Sequence, residues 1–397
     1  MPFYKRTLSQ QLPKNISYFL FGPRQTGKTT ILNQRDYLLK LDFLKRSTFL
    51  KYTANPDLLF DELCALNLEE QKSNLVWLDE VQKVPAILET VHRVMNEMPQ
   101  FYFALSGSSA RKLRRGAANL LGGRAIDLKL FPLTHAELGD DYLLERVLAF
   151  GSLPKISVLL AESEKRSALL LLRSYVTTYL TEEIHAEALV QNLQLFQGFL
   201  EIAAQYVGLQ INFNDLATQV GVSRHYIKKY FAILEDTLIG YFLKPYSGSA
   251  TKQMSKRPKF YLFDNGVTRA IQGVISNDPT PAEKGHLFEQ WVVGEIRRFI
   301  SYSESGLKMY FWRTQKGAEV DILLCRGTEI LLGIECKSSS KLVKSDFAGL
   351  NSFHKTYPKV PLIMCCPVDQ PRRNENGLDI MGLKTLINKV DELVKGR

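Results

Sequence analysis

The segment YFLFGPRQTGKTTIL near the amino terminus constrains the fold more than any other stretch of the chain. An apolar strand, residues 18–21, leads into the pattern GxxxxGK[ST], which runs from Gly22 to Thr29. Glycines at these positions let backbone N–H groups curl around a phosphate, and the following helix points its amino terminus at the same group. A strand, a phosphate-binding loop and a helix in this order are typical of an α/β parallel sheet. We therefore expect an α/β nucleotide-binding domain at the start of the chain.

The residues of this loop are expected to divide the work of binding ATP and Mg²⁺. We predict that Lys28 reaches the β- and γ-phosphates and that the hydroxyl of Thr29 ligates Mg²⁺. The other predicted nucleotide contacts are Gly22, Pro23, Arg24, Gln25, Thr26, Gly27 and Thr30. The alternative is a strand–helix turn without a ligand, and the apolar strand before the motif argues against it.

A second apolar strand, residues 75–78, ends in Asp79 and Glu80. A carboxylate at the end of such a strand can hold Mg²⁺, in part through water, and its neighbour can act as the general base for the attacking water. We assign the first role to Asp79 and the second to Glu80. Many strands end in acids, so this assignment depends on the phosphate-binding loop that precedes it.

A third apolar strand, FYFALSGSS, ends in serines, and Ser108 is our candidate to contact the γ-phosphate. A Ser/Gly turn without a ligand is the alternative. Farther along, Arg124 follows two glycines, and we predict that it neutralises charge in the transition state. Arg114 and Arg115 lie in the same segment and are more typical of solvated arginines.

The middle of the chain is predicted to be helical and to end in a winged helix. Residues 140–210 have apolar positions at helical spacing and contain little Gly or Pro. A short helix, residues 214–220, then meets a turn at Gly221, and Ser223 is the predicted N-cap of a second helix. Two apolar strands, residues 239–245 and 259–263, follow. They flank a basic loop that we expect to form the wing and that includes Lys252, Lys256, Arg257 and Lys259.

This winged helix has two interpretations. It contacts DNA phosphates or bases, or it packs against the protein itself or another protein. The predicted DNA contacts are Arg224, His225, Lys228, Lys229, Lys256 and Arg257. The net charge of +10 favours an anionic partner only weakly.

The segment GAEVDILLCRGTEILLGIECKSS, residues 317–339, predicts two strands joined by a turn. Successive side chains alternate between faces, so each strand contributes three residues to one apolar face. These residues are Val320, Ile322, Leu324, Ile330, Leu332 and Ile334. The opposite face then presents Glu319, Asp321, Glu335 and Lys337. A solvated outer face of an edge hairpin is the alternative to a site.

As a site, this charged face has the groups that phosphodiester cleavage needs. Asp321 and Glu335 are expected to hold Mg²⁺, and Glu289 on the preceding amphipathic helix is placed to lean over the same metal. Lys337 is expected to position or deprotonate a metal-bound water. We therefore treat Asp321, Glu335 and Lys337 as candidate catalytic residues.

Several blocks of the chain resemble bacterial and archaeal ATPases of the AAA type that end in a domain of unknown function, DUF4143. The resemblance rests on LFGPRQTGKTT, VWLDEVQKVP, LSGSSARKL, KFYLFDNGVTRAI, GHLFEQWVVGEI and WRTQKGAEVDILL with GIECKSS. It implies a P-loop ATPase domain at residues 1–140, a helical linker and winged helix at 141–275, and a restriction-endonuclease-like domain of the PD-(D/E)XK superfamily at 276–397. It also implies that Asp321, Glu335 and Lys337 match the nuclease-like core, with Glu289 on its first helix.

Together, these features predict an α/β multidomain protein that hydrolyses ATP and acts on DNA through a Mg²⁺-dependent nuclease-like domain. The alternative is an ATP-controlled switch that binds DNA or protein and has an inactive nuclease fold. The chain has no apolar run of roughly 18 residues, so we expect no membrane partner and a cytoplasmic location. A monomer and a homo-oligomer, with Arg124 acting between subunits, are both compatible with the sequence.

Overall fold

The computed structural model describes residues 4–66, 72–108, 121–180, 193–247, 257–375 and 377–396. For residues 179 and 180 it describes only the backbone. It forms two compact units. The first comprises Met1–Leu133 with Ile233–Ile239, and the second comprises Thr134–Ala232 with Gly240–Arg397. Our division of the chain into three domains stays a prediction. Within the described ranges, no helix is both long and apolar enough to span a bilayer.

The first unit is built on a five-stranded parallel sheet among the residues described, in the order β2-β3-β4-β1-β5. Its strands are β1 (Ser17–Phe21), β2 (Leu39–Asp42), β3 (Leu75–Asp79), β4 (Tyr102–Gly107) and β5 (Ala125–Lys129). The predicted strands at 18–21 and 75–78 are therefore confirmed. Because the strands are parallel, all their carboxyl ends meet at one edge of the sheet.

Helices of the first unit are α1 (Lys28–Leu32), α2 (Arg46–Ala54), α3 (Leu58–Cys64) and α4 (Ile87–Glu97). Every residue of β1 and β3 is buried, as expected for strands covered on both faces. Phe19, Val76 and Phe103 from the sheet share one core with Leu59 of α3 and Val91 of α4.

The second unit begins with helices, which confirms the helical pattern predicted from residue 140 in the part of the chain that the structure describes. They are α5 (His135–Leu138), α6 (Leu144–Phe150), α7 (Pro154–Ala161), α8 (Lys165–Ser174), α9 (Leu193–Gln205), α10 (Phe213–Val220) and α11 (Arg224–Asp236). A π-helix, Tyr175–Leu180, follows α8. Later helices are α12 (Asn265–Ile271), α13 (Pro281–Ser303), α14 (Ala348–Thr356) and α15 (Leu383–Val394).

The predicted helix–turn–helix is present. The chain turns at Gly221, which has a φ of 76°, and the Tyr226 N–H donates to the Ser223 hydroxyl at 3.5 Å. The side chains predicted for the inner face of α11 are buried, namely Ile227, Tyr230, Phe231 and Leu234. The strands predicted after it are present as well, as β6 (Gly240–Pro245) and β7 (Lys259–Leu262), which pair antiparallel.

These two strands belong to a larger sheet. In the described residues it has eight strands in the order β12-β13-β11-β10-β9-β8-β6-β7. The others are β8 (Lys308–Arg313), β9 (Glu319–Arg326), β10 (Glu329–Cys336), β11 (Leu362–Cys365), β12 (Arg372–Arg373) and β13 (Asp379–Met381). β6 pairs parallel with β8 through Lys244 opposite Tyr310 and Pro245 opposite Phe311. The β6–β7 hairpin therefore continues the C-terminal sheet, and the boundary between residues 275 and 276 stays a prediction.

Strands β9 and β10 form the predicted hairpin, with one correction to its faces. Ile334 lies opposite Ile322, but a bulge after Ile330 shifts the register and places Ile330 opposite Cys325. Since faces alternate along a strand, Ile330 joins the face of Leu323 and Cys325, and our prediction that it shares a face with Ile322 is wrong.

The face that we predicted to be charged is also not an open solvent face. Leu323 and Cys325 on this face are fully buried, in a cluster with Leu350 and Phe353 of α14.

The packing of α14 against β9 depends on Gly349. A Cβ at this position would lie 1.8 Å from the carbonyl oxygen of Glu319. We predict that Gly349→Ala lowers the free energy of unfolding by about 1–3 kcal/mol, because the helix must move away from the strand. The matched control is Gly285→Ala in α13, where a Cβ meets nothing within 4 Å. This change should raise the free energy of unfolding by up to about 1 kcal/mol. Urea denaturation compares the variants, and equal stabilities would contradict the close approach of α14.

Candidate functional site

The phosphate-binding loop lies between β1 and α1, at the carboxyl edge of the first sheet. Gly27 has a φ of 96°, a conformation that side chains rarely adopt. A Cβ on Gly22 would come within 2.3 Å of the Leu130 carbonyl oxygen. Both glycines are therefore required by the backbone of the loop itself, and this leaves the peptide N–H groups free of side-chain bulk.

Lys28 turns back onto the start of the loop. Its Nζ donates to the carbonyl oxygens of Gly22 at 2.7 Å and Pro23 at 3.1 Å. Thr26 braces the same turn by donating its hydroxyl to the Pro23 carbonyl at 2.9 Å. Thr29 follows Lys28 and is exposed in the first turn of α1, so its hydroxyl is accessible to a metal ion. The loop therefore holds the ammonium of Lys28 beside its own backbone.

Arg6 supports this loop from the amino-terminal segment, and we did not predict it. Its guanidinium donates to the carbonyl oxygens of Thr26 and Phe131, the latter at 2.6 Å, and the residue is buried. No local sequence pattern marks this arginine, because its partners lie 20 and 125 positions away.

Asp79 is buried at the end of β3, next to the end of β4. The Ser106 hydroxyl donates to Asp79 Oδ1 at 2.5 Å and accepts the indole N–H of Trp77 at 2.8 Å. Burial raises the pKa of Asp79, and the hydrogen bond from Ser106 opposes that rise. Ser106 thus orients the carboxylate that we predicted to serve Mg²⁺.

Glu80 and Ser108 are joined by Gln82, another residue that the sequence reasoning missed. Gln82 Nε2 donates to Glu80 Oε2 at 2.5 Å and to the Ser108 hydroxyl at 3.1 Å. Because β4 lies between β1 and β3, its end places Ser108 between the phosphate-binding loop and Asp79–Glu80. The structure therefore brings the predicted base and the predicted γ-phosphate contact to one edge of the sheet.

Arg124 is not part of this arrangement. It directly precedes β5, whose first residue, Ala125, pairs with Ser17 at the start of β1. The loop follows the other end of β1, which spans roughly 13 Å at about 3.3 Å per residue. Arg124 donates instead to Asn96 Oδ1 of α4 at 2.5 Å. A catalytic role within its own subunit does not fit this position, and a role between subunits stays a prediction. Arg114 and Arg115 lie outside the described residues.

In the second unit, acidic side chains converge on Lys259. The Nζ of Lys259 lies 2.7 Å from Glu289 Oε1, 2.5 Å from Glu319 Oε1 and 3.3 Å from Asp321 Oδ1. Its side chain is 3% exposed. Our prediction that Lys259 belongs to a basic wing is therefore wrong: it is the first residue of β7, and its side chain points into the unit. Burial would lower the pKa of Lys259, but Tyr261 and the three carboxylates raise it well above its ordinary value.

Glu335 and Lys337 lie beside this cluster. Lys337 Nζ is 3.3 Å from Glu335 Oε1, whereas Glu335 Oε2 is buried without a hydrogen-bond partner in the part of the chain that the structure describes. The Cys336 N–H donates to Asp321 Oδ2 at 2.9 Å, which places Asp321 next to Glu335. Burial and then Asp321 raise the pKa of Glu335 to about 9. The structure thus brings together all four residues predicted for the nuclease-like site.

This cluster does not fit Mg²⁺. The cation requires about six oxygen ligands in a near-octahedral arrangement. Here the oxygens of Glu289, Glu319 and Asp321 surround the ammonium of Lys259 instead. Consistently, the described residues contain no group of three or more His, Cys, Asp or Glu side chains arranged to hold a metal ion.

The predicted DNA contacts fall on one helix and one strand connection. Arg224, His225 and Lys228 are exposed on the first turns of α11, and Lys229 is half-buried beside the ring of Tyr226. Arg257 is exposed before β7. Lys256 and Lys252 lie outside the described residues. The basic face of α11 is therefore available to solvent.

Comparison with family models divides the chain in three. Residues 14–139 match an AAA domain, residues 141–278 a domain of unknown function (DUF8612), and residues 284–386 a domain of unknown function (DUF4143). The chain therefore contains an ATPase-like AAA domain, which supports ATP binding and hydrolysis, and a DUF4143 domain.

Similar curated proteins are uncharacterized. One from Mycobacterium tuberculosis is 26% identical over 310 residues, which cover 76% of this chain and 66% of that protein. The chain thus spans slightly less than two thirds of the length of this relative. One from Haemophilus influenzae is 24% identical over 298 residues, 68% of this chain and 72% of the relative. Among solved structures, the Aeropyrum pernix ORC2 protein in ADPNP–ADP complexes is 15% identical with a TM-score of 0.37, over 66% of this chain and 87% of that one. We draw no conclusion from so distant a likeness.

Proposed function

We propose that the protein is an ATP-hydrolysing switch that binds DNA through α11, with the nucleotide controlling that binding. The observation that favours a switch over a nuclease is the burial of Lys259 among Glu289, Glu319 and Asp321. This ammonium contacts Glu289 and Asp321, two of the three carboxylates that we predicted to hold the cleaving metal.

The ATP half of the proposal rests on the carboxyl edge of the first sheet. The phosphate-binding loop, Asp79 held by Ser106, and Glu80 linked through Gln82 to Ser108 meet at this edge. Lys28 provides the positive charge for the phosphates, Thr29 and Asp79 would hold Mg²⁺, and Glu80 would orient the attacking water. When bound, Mg²⁺ would neutralise charge on the β- and γ-phosphates.

We predict that Lys28→Ala lowers the rate of ATP hydrolysis about 100-fold or more, because the phosphates lose their charged donor. The matched control is Lys45→Ala, an exposed lysine of the same unit, which should hydrolyse ATP at the wild-type rate. Phosphate release from ATP and binding of a fluorescent nucleotide measure the two steps. Unchanged hydrolysis by Lys28→Ala would refute the assignment of the loop.

The DNA half of the proposal rests on the exposed basic face of α11. Arg224 and Lys228 are one helical turn apart, so their charges lie on the same side of the helix. The buried side of α11 packs through Ile227 and Tyr230, which fixes the direction in which the basic residues point.

We predict that the double variant Arg224→Ala/Lys228→Ala binds duplex DNA more weakly than the wild type. It should also lower the slope of log K against log salt by about 2, because about one counterion is released for each phosphate contact. Lys384→Ala/Lys389→Ala on α15 is the control with the same loss of charge at exposed positions. Fluorescence anisotropy at several salt concentrations, with and without ATP, gives both slopes. Equal slopes for the two double variants would remove α11 as the DNA contact.

A second candidate function is Mg²⁺-dependent cleavage of DNA, favoured by the approach of Lys337 to Glu335 beside Asp321. In that function Lys337 would position a water and Glu335 would bind the metal. On this hypothesis the wild type cleaves plasmid or single-stranded DNA with Mg²⁺ or Mn²⁺, and Glu335→Ala does not. Absence of cleavage by the wild type with either metal, while ATP hydrolysis continues, would reject this candidate and leave the switch.

A further inference from the structure

The acidic cluster of the second unit, defined as Glu289, Glu319 and Asp321, is organised around a cation that the chain itself supplies. Glu289 comes from α13, and Glu319 and Asp321 come from β9. A lysine ammonium has three N–H donors and no acceptor. Within the described residues, Lys259 directs its ammonium at one oxygen of each carboxylate, at 2.7, 2.5 and 3.3 Å. The hydrogen-bonding capacity of the ammonium is therefore filled by these carboxylates.

Other donors hold the same carboxylates in position around Lys259. The Cys336 N–H binds the second oxygen of Asp321 at 2.9 Å, and Arg313 binds the second oxygen of Glu319 at 2.8 Å. The Tyr261 hydroxyl donates to Glu289 Oε1 at 2.5 Å. Asp321 and Glu319 are thus held through their outer oxygens, whereas Glu289 accepts from Lys259 and Tyr261 on the same oxygen.

A set of inward carboxylate oxygens from a helix and a strand is also the donor set that hard divalent cations prefer. An ammonium and a divalent cation cannot share this space, because like charges a few ångströms apart in a buried place repel strongly. Occupation by Lys259 and occupation by a metal are therefore mutually exclusive.

We propose that Lys259 is the resident cation of the acidic cluster and that it excludes Mg²⁺ and Mn²⁺, so that the cluster becomes a divalent-metal site only when the Lys259 ammonium is removed. The proposal concerns the second unit alone and requires neither ATP hydrolysis nor DNA binding. It goes beyond the proposed switch by stating which cation occupies the cluster.

The test counts Mn²⁺ bound per chain by electron paramagnetic resonance on the full chain without nucleotide. Wild type and Asp321→Asn should bind the same number of ions, since the cluster takes no metal in either. Lys259→Met should bind one ion more than the wild type, and Lys259→Met/Asp321→Asn should lose that ion again. Mn²⁺ that binds weakly at the nucleotide loop adds the same number of ions to the wild type and to all three variants. It therefore does not affect the differences between them.

The matched control is Arg313→Met. It removes one positive charge from the same carboxylate, Glu319, but from the side that is open to solvent. Arg313→Met should therefore bind no additional ion. An additional ion in Arg313→Met equal to that in Lys259→Met would overturn the proposal, because general loss of charge would then explain both.

A second measurement keeps the proposal testable if Lys259→Met is unstable. Loss of Lys259 leaves the acids unpaired, so the thermal midpoint of Lys259→Met should fall, and millimolar Mn²⁺ should raise it again while leaving that of the wild type unchanged. If Lys259→Met does not fold even with Mn²⁺, the comparison of wild type with Asp321→Asn decides. One more ion in the wild type than in Asp321→Asn would overturn the proposal, and equal numbers would support it.

Discussion

The buried ammonium of Lys259 joins three separate segments of the second unit. A buried charge is costly unless it is paired, and removing one partner of a buried ion pair typically costs about 3–5 kcal/mol. Lys259 begins β7, whereas its partners lie on α13 and β9, so this one side chain ties the β6–β7 hairpin to the C-terminal sheet. The pairing of β6 with β8 also connects the hairpin to the sheet. The ion cluster and the sheet therefore both connect these segments.

In the first unit, the comparable constraint is the parallel direction of all strands in the described sheet. A residue that follows a strand lies at the carboxyl edge of the sheet. A residue that precedes a strand lies at the opposite edge. Asp79 ends β3 and Ser108 follows β4, so both lie at the edge of the sheet that carries the phosphate-binding loop. Arg124 precedes β5 and therefore lies away from it, beside Asn96. The two glycines before Arg124 suggested a tight turn and a role in catalysis. They do not determine at which edge of the sheet Arg124 lies.

Local patterns predicted the features that depend on neighbouring residues. The phosphate-binding loop, the ends of β1 and β3, the Gly221 turn and the buried face of α11 all follow from spacing along one segment. The register of β10 was not predictable to the same degree, because the bulge after Ile330 arises only when two strands pair. Lys259 was misassigned for a similar reason. It follows other basic residues, a local pattern typical of a solvated loop, and its acidic partners begin 30 positions later.

The same reasoning separates the acidic residues into two groups with different electrostatics. Glu289, Glu319 and Asp321 all contact the ammonium of Lys259, with Arg313 on the outer side of Glu319. Glu335 lies beyond the reach of Lys259 in this arrangement, and its pKa is raised to about 9 by burial and by Asp321.

The raised pKa favours the neutral form of Glu335, whose carboxyl group lies beside Lys337. Neither group presents an uncompensated pair of carboxylates to a divalent ion. Within the acidic cluster, one ammonium and one guanidinium face three carboxylates, so Lys259 lowers the negative charge that a divalent ion would meet without removing all of it.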